Sequence, residues 1–124
     1  MVLTPTSPVC FDTNDALIRQ ALTDELNNRK SGKTSRIVQE LGVWHGVARI
    51  DIALIDSHLH GFEIKSDRDT LDRLLNNQME VYNAVFDRVT LVVGGHLFIE
   101  AFKLIPEWWG LEVARLVRDY LPLL

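Results

Sequence analysis

Ala48-Arg49-Ile50-Asp51-Ile52-Ala53-Leu54-Ile55-Asp56, followed by Phe62-Glu63-Ile64-Lys65-Ser66, is the stretch on which the reading of this chain turns. In the first run Ile50, Ile52 and Leu54 alternate with Arg49, Asp51 and Ala53, the period-two pattern of a half-buried strand. In the second, Phe62 and Ile64 alternate with Glu63 and Lys65. Ser57–Gly61 is a short connection, so the two runs predict a hairpin folded about Ser57-His58. The aliphatic side chains then share the core face, and Asp51, Glu63 and Lys65 converge on the other.

Working outward, Asp12, Thr13 or Asn14 is placed to cap a helix over Asp15–Arg29, whose Leu17, Ile18, Ala21, Leu22 and Leu26 fall at helical spacing. Residues 1–11, with Pro5 and Pro8, read as a frayed or extended arm, and Lys30-Ser31-Gly32-Lys33 as a polar loop. Arg36–Val43 suits either a strand or a short helix. Asp67–Phe86 predicts a long helix with a stripe of Leu71, Leu74, Leu75, Gln78, Tyr82 and Val85. Val89–Val93 is a short apolar run, expected to be a buried strand. Leu97–Leu104 reads as a further helix before Pro106, and Leu111–Val117 as strand or helix. The expected architecture is a single α/β (α+β) domain over residues 1–124: a central mixed sheet flanked by helices, in the order αβββαβ.

Three ionisable groups on one sheet face need a reason. Two close carboxylates repel, and each resists ionisation unless a cation joins them. Lys65 can supply part of that charge and a divalent metal the rest. Asp51, Glu63 and the Ile64 carbonyl, with waters, form a reasonable oxygen donor set for Mg²⁺, with Mn²⁺ as a substitute. Such a metal polarises a phosphoryl oxygen and lowers the pKa of a bound water. Lys65 can then stabilise charge on the phosphorus centre or help position the attacking water. Gln78 interrupts an apolar stripe and needs a polar partner. Either the Glu63 carboxylate or metal-bound water fills that role, or Gln78 reaches solvent at the stripe's edge.

Arg49-Ile50-Asp51 and Glu63-Ile64-Lys65, on adjacent predicted strands and followed by a helix carrying Gln78 and Tyr82, resemble the PD-(D/E)XK nuclease superfamily. The likeness runs from about Glu40 to Val93, through Asp69-Thr70-Leu71, Arg73-Leu74, Phe86-Asp87 and Leu91-Val92-Val93, and is similar to a branch of short microbial and phage proteins. It implies a restriction-endonuclease-like core, Mg²⁺ on Asp51 and Glu63, and Lys65 as the catalytic lysine. It also implies an upstream acid, for which Glu40 is preferred to Glu25. Ile50 stands where a proline often precedes the aspartate. The superfamily includes DNA enzymes, RNA enzymes and members without catalysis, so the fold leaves the substrate open. The expected activity is metal-dependent phosphodiester hydrolysis, with DNA the first substrate to test. The alternatives are a non-catalytic nucleic-acid- or protein-binding module, or a subunit active only with a partner. A homodimer is expected if both strands of a duplex are cut.

The chain has 124 residues, of which 47% are hydrophobic and 24% charged, enough for a core without staples. Its single cysteine, Cys10, excludes an internal disulfide framework and suits a reducing cytoplasm. No secretory signal and no apolar run of the ~20 residues that span a membrane stand out. The net charge of −4 argues mildly against nucleic acid. However, Arg29, Lys30, Lys33, Arg36 and Arg49 form a basic strip broken only by Glu40. Lys33, Arg36, Arg49 and Tyr82 are therefore candidate substrate contacts. Arg73 reads as a solvated or salt-bridged helix residue, and Asp67, Asp69 and Asp72 as favouring a helix N-terminus. His45 lies near the site. His58 and His60 lack a third metal ligand. Trp108-Trp109 is expected to close the core.

Overall fold

The computed structural model describes residues 2–3, 13–29 and 34–116; Cys10 and Lys33 lie outside them. Helix α1, Asp15–Arg29, is the predicted one. Asn14 caps it, its Oδ1 accepting from the Leu17 amide at 2.9 Å. Strands β2 (Arg36–Val43), β3 (Ala48–Ile55) and β4 (Leu59–Lys65) form an antiparallel meander. Strands β5 (Arg88–Gly94) and β6 (Gly110–Leu116) then continue the sheet in parallel from β4. Residues Val2–Leu3, β1, pair in parallel with β6, so this part of the predicted arm belongs to the sheet. The sheet is mixed and six-stranded, in the order β1-β6-β5-β4-β3-β2.

Two ambiguous segments are thereby settled as strands, Arg36–Val43 and the run after Trp109. The order αβββαβ is extended at its end by helix α3, Phe98–Leu104, and by β6. The long helix is shorter than expected. Its middle is a π-helical turn, Leu74–Gln78, leading into helix α2, Met79–Val85. The Met79 amide reaches back to the Leu74 carbonyl, the wider turn that shifts later side chains around the axis. Asp67 and Asp69 do not sit on this helix. Asp67 accepts from the Thr13 amide, the Thr13 hydroxyl and the His96 amide at 2.7–3.0 Å, tying α1 to the exit of β5. Those amides hold its carboxyl below the usual range despite the cost of burial. Asp69 accepts from the Ser66 amide at 2.7 Å.

The two sheet faces have separate cores. Ile18, Leu22 and Leu26 of α1 pack on Ile52, Phe62, Ile64, Val92 and Ala114. On the other face Leu71, Leu74, Val81, Tyr82 and Phe86 cover Ala53, Val89, Leu91 and Val93. Here one expectation fails. Ile50 does not share a face with Ile52; it joins the second core, beside Gly61 and Phe86. Leu41, its partner on β2, lies on that side too, whereas Ile37 packs toward α1. Both strands therefore turn over at one rung, between the pairs Gln39–Ile52 and Leu41–Ile50. Glu40 sits at that rung with φ +55°, a left-handed backbone that breaks strict alternation. Trp109 is core, as expected, donating from Nε1 to Asn83 at 2.7 Å, but Trp108 is 48% exposed.

Candidate functional site

At the turned-over rung the β3–β4 ladder stops. Its last pair is Ile52–Phe62. Beyond it the Ile64 amide donates to Asp51 Oδ2 at 2.7 Å, so a side chain replaces the missing backbone acceptor. In an extended strand a residue's N–H and C=O point to the same side. The Ile64 carbonyl thus faces the same opening between β3 and β4, while its side chain packs toward α1.

Glu63 and Lys65 point to the α2 side of the sheet and are buried, with only 4% and 8% of their side chains exposed. Lys65 Nζ lies 3.2 Å from Glu63 Oε2 and donates to Gln78 Oε1 at 3.1 Å. Gln78 is thus neither at the solvent edge nor on Glu63. It holds the lysine, from the π-helical turn. The Tyr82 hydroxyl is 2.9 Å from both Glu63 Oε1 and the Arg49 carbonyl. Tyr82 is fully buried, which removes it from the substrate contacts and makes it a support for Glu63.

The third acid is Glu40. Its Oε2 accepts from Arg19 Nη1 at 3.2 Å. Arg19 Nη2 also holds Asp51 Oδ1 at 2.9 Å, and Arg19 Nε holds Asp15 Oδ1 at 3.1 Å. One guanidinium therefore gathers three carboxylates from α1, β2 and β3. Glu25 does not line the cleft; its Oε2 is buried without a hydrogen-bond partner among the described residues. Of the two upstream acids, Glu40 is the one beside Asp51.

Glu40, Arg49, Asp51, Glu63, Arg73 and Gln78 line a polar cleft of about 340 Å³. Arg49 is 67% exposed, its Nη1 3.9 Å from Glu40 Oε1. Arg73, expected from its sequence position to be a solvated or salt-bridged helix residue, lines the cleft as well. Arg36 does not: it pairs with Ile55 at the far end of β2 and β3. His45 is exposed in the left-handed turn Trp44–Val47, with φ +54°, and does not line the cleft. Arg19 and Arg73 are the residues that sequence reasoning missed. For Arg19 a signal existed, an Asp15–Arg19 pair one helical turn apart, next to the core residue Ile18.

The electrostatics follow from burial. The Glu63 carboxyl is pushed up to about 7, by burial first and then by the Asp51 charge; Lys65 and Tyr82 pull the other way. Asp51 is also raised, because burial outweighs the Ile64 amide and Arg19. The Tyr82 hydroxyl is held well above its ordinary value by burial and by Glu63. Arg19 is held above its own: burial pulls it down, but bonds to Asp15 and Asp51 outweigh that. Among the described residues no group of three or more His, Cys, Asp or Glu side chains has the arrangement to hold a metal ion. Two carboxylates and a backbone oxygen would make a hard donor set, suited to a hydrated ion such as Mg²⁺ rather than to a transition-metal cage.

These features define an α+β domain whose mixed sheet opens a polar cleft where two strands part, with acids and cations from both faces of the sheet gathered at the opening. The chain belongs to the family described as Bacteriophage P4 protein cII, which matches residues 11–119. Protein cII of Enterobacteria phage P4 is 31% identical to it over 86 residues, 69% of this chain and 32% of the relative. The chain thus spans about a third of that relative's length. No solved structure matches it. No helix among the described residues is long and apolar enough to cross a membrane.

Proposed function

We propose that this domain is a metal-dependent nuclease, hydrolysing phosphodiester bonds, first of all in DNA. One observation carries the reading: Asp51, Glu63 and Glu40 meet at one cleft, with a buried lysine on Glu63 and two exposed arginines at its rim. Asp51 and Glu63 would hold Mg²⁺, with the Ile64 carbonyl facing the same opening. The raised carboxyls of Asp51 and Glu63 fit this assignment, because a cation between them relieves the cost of their charge. Bound there, the ion would supply Lewis-acid polarisation and an activated water. The chain's own groups do the rest. Lys65, steered by Gln78, places a positive charge beside the reacting phosphate. Tyr82 fixes the Glu63 carboxylate, and Arg19 fixes Asp51 and Glu40. Arg49 and Arg73 bind flanking phosphates. On this reading the sheet is a restriction-endonuclease-like core. Supporting that are the antiparallel β2–β4 meander, the helical crossover to parallel β5, and the parting of strands at Asp51.

The test is to incubate the purified protein with labelled linear, circular and branched DNA and with RNA. Reactions run with Mg²⁺, with Mn²⁺ and with EDTA, beside Lys65→Ala. Cleavage that disappears with EDTA and with the variant is the expected result. Full cleavage by the variant removes Lys65 from the chemistry.

A second reading, a binding module without catalysis, draws on a different observation. Both Asp51 oxygens are already engaged, by Arg19 and by the Ile64 amide. Under this reading the cleft's charges are structural, and nucleic acid binds without being cut, equally well to Asp51→Ala.

A further inference from the structure

The β3–β4 hairpin has a second concave surface at its other end. A cavity of about 580 Å³ lies beside the turn, between the end of α1 and the starts of β4 and β5. Its cations are Arg29 from the last turn of α1 and Arg88 from the first residue of β5. Neither makes an ion pair or side-chain hydrogen bond among the described residues. The two acids nearby are already committed. Asp87 accepts from the Leu59 amide at 2.7 Å, and Asp56 from the His58 amide at 2.9 Å, holding the hairpin turn. The wall is flat and apolar: Leu54, and the His60 ring stacked on Phe62 with centroids 4.1 Å apart. Thr90 lies 2.8 Å from His60 Nε2 and fixes the plane of that ring. The positive field is felt at His60, whose imidazole is lowered to about 4 by burial and by Arg88 and Arg29, against Asp56. It is therefore neutral at pH 7, a planar surface rather than a third cation.

We propose that this cavity binds a nucleotide, with its phosphate between Arg29 and Arg88 and its base against His60 and Leu54. Free guanidiniums select a phosphate, which they can engage through paired hydrogen bonds. The flat wall selects a planar ring, and the volume falls within the range of small-ligand pockets, ~300–1,000 Å³. The site is separate from the cleft: Leu54 and His60 pair three residues beyond Asp51 toward the turn, on the α1 side of the sheet.

Isothermal titration of the whole protein in EDTA, with AMP, adenosine, inorganic phosphate and a 5′-phosphorylated oligonucleotide, tests this. AMP is expected to bind, and adenosine and phosphate each at least tenfold more weakly. Arg29→Ala and Arg88→Ala are each expected to weaken AMP at least tenfold, while Asp51→Ala leaves it unchanged. Both arginines are exposed, and unchanged thermal unfolding would show that the variants fold. Four results would overturn the proposal: no AMP binding at millimolar concentration, equal affinity for phosphate alone, binding of the oligonucleotide but not of AMP, or indifference to both arginine variants. Loss of AMP binding in Asp51→Ala would instead place the ligand in the cleft. None of these results depends on whether the cleft cuts nucleic acid.

Discussion

The two ends of the β3–β4 hairpin carry similar residue types and use them in opposite ways. At the turn end, Asp56 and Asp87 are exposed and spend their charge on backbone amides, while Arg29 and Arg88 have no ion-pair partner among the described residues. At the open end, Glu63 is buried and Asp51 partly so, and their charge is met by Lys65 and Arg19. The difference lies in the ladder. Where β3 and β4 remain paired, the ladder satisfies the backbone, and the few amides left over at the turn are met by carboxylates that stay in solvent. Where the strands part, polar backbone is left over and side chains are drawn in to serve it. Burial then couples charges that solvent would screen at the other end.

The largest effect expected is from Lys65→Ala. If the open end is a reacting centre, cleavage falls at least ~100-fold, as for other removed electrostatic stabilisers. Stability at pH 8 falls too, by roughly 3 kcal/mol, because Glu63 is left as a buried charge without its partner. The same substitution at the turn-end Arg88 is expected to cost less than about 0.5 kcal/mol. Denaturant titration of the two variants compares the ends directly, and equal losses would break the contrast.

Next is Glu63→Gln. Free Glu63 titrates near 4.5 and folded Glu63 near 7. Between those values the folded protein holds a proton that the unfolded chain has lost. This contribution to stability is therefore full below pH 4.5 and is lost as pH rises through 7. The shift corresponds to roughly 3 kcal/mol. The variant is expected to lack this decline, so its gain over wild type should grow from pH 5 to pH 8 in urea titrations. A parallel pair of curves would mean that Glu63 is not buried as a charge. Mg²⁺ should also stabilise wild type more at pH 8 than at pH 5, since binding requires the ionised carboxylate.

Much of the site's address could be read from the chain, because period-two alternation is a property of sequence. Asp51 and Glu63 line one cleft and Lys65 lies on Glu63, although the strict alternation that brings them together on paper fails beside Asp51, at Ile50. Gln78 was conspicuous as a polar residue on an apolar stripe, although its partner proved to be Lys65. What could not be read depends on local backbone geometry that alternation assumes away. The left-handed Glu40 turns Ile50 and Leu41 to the opposite face, and nothing in its residue type announces this. The π-helical turn similarly departs from the 3.6-residue period used to draw the stripe. Arg36 was misplaced for another reason: a basic strip in sequence becomes, in a strand, a row about 3.3 Å per residue long. That length carries Arg36 to the turn end, away from Glu40.

Arg19 extends the comparison to α1, since it is the cation that binds the helix to the open end. Arg19→Ala removes the partner of Asp15, Glu40 and Asp51 together. A loss of about 2 kcal/mol is expected, in the range for hydrogen bonds to charged groups and lessened by partial exposure. Arg19→Lys is expected to recover only part, because an ammonium lacks the planar fork that reaches three acids. Full recovery by lysine would show that charge alone matters there.

The smallest effect concerns one hydrogen atom. The Tyr82 hydroxyl has one proton and two acceptors within 2.9 Å, Glu63 Oε1 and the Arg49 carbonyl. With Glu63 ionised, only one of them can be served. With Glu63 protonated, its own hydroxyl can donate to Tyr82 while Tyr82 donates to Arg49, and both contacts are satisfied. Tyr82→Phe breaks this chain at a cost of about 1 kcal/mol. It also withdraws a bond that favours the ionised carboxylate, so the Glu63 midpoint should move further above 7. The variant's deficit against wild type should then be larger at pH 8 than at pH 5. A deficit larger at pH 5 would assign the Tyr82 proton chiefly to the Arg49 carbonyl, with Glu63 as the donor that completes the chain. The tyrosine would then support the strand edge more than the acid.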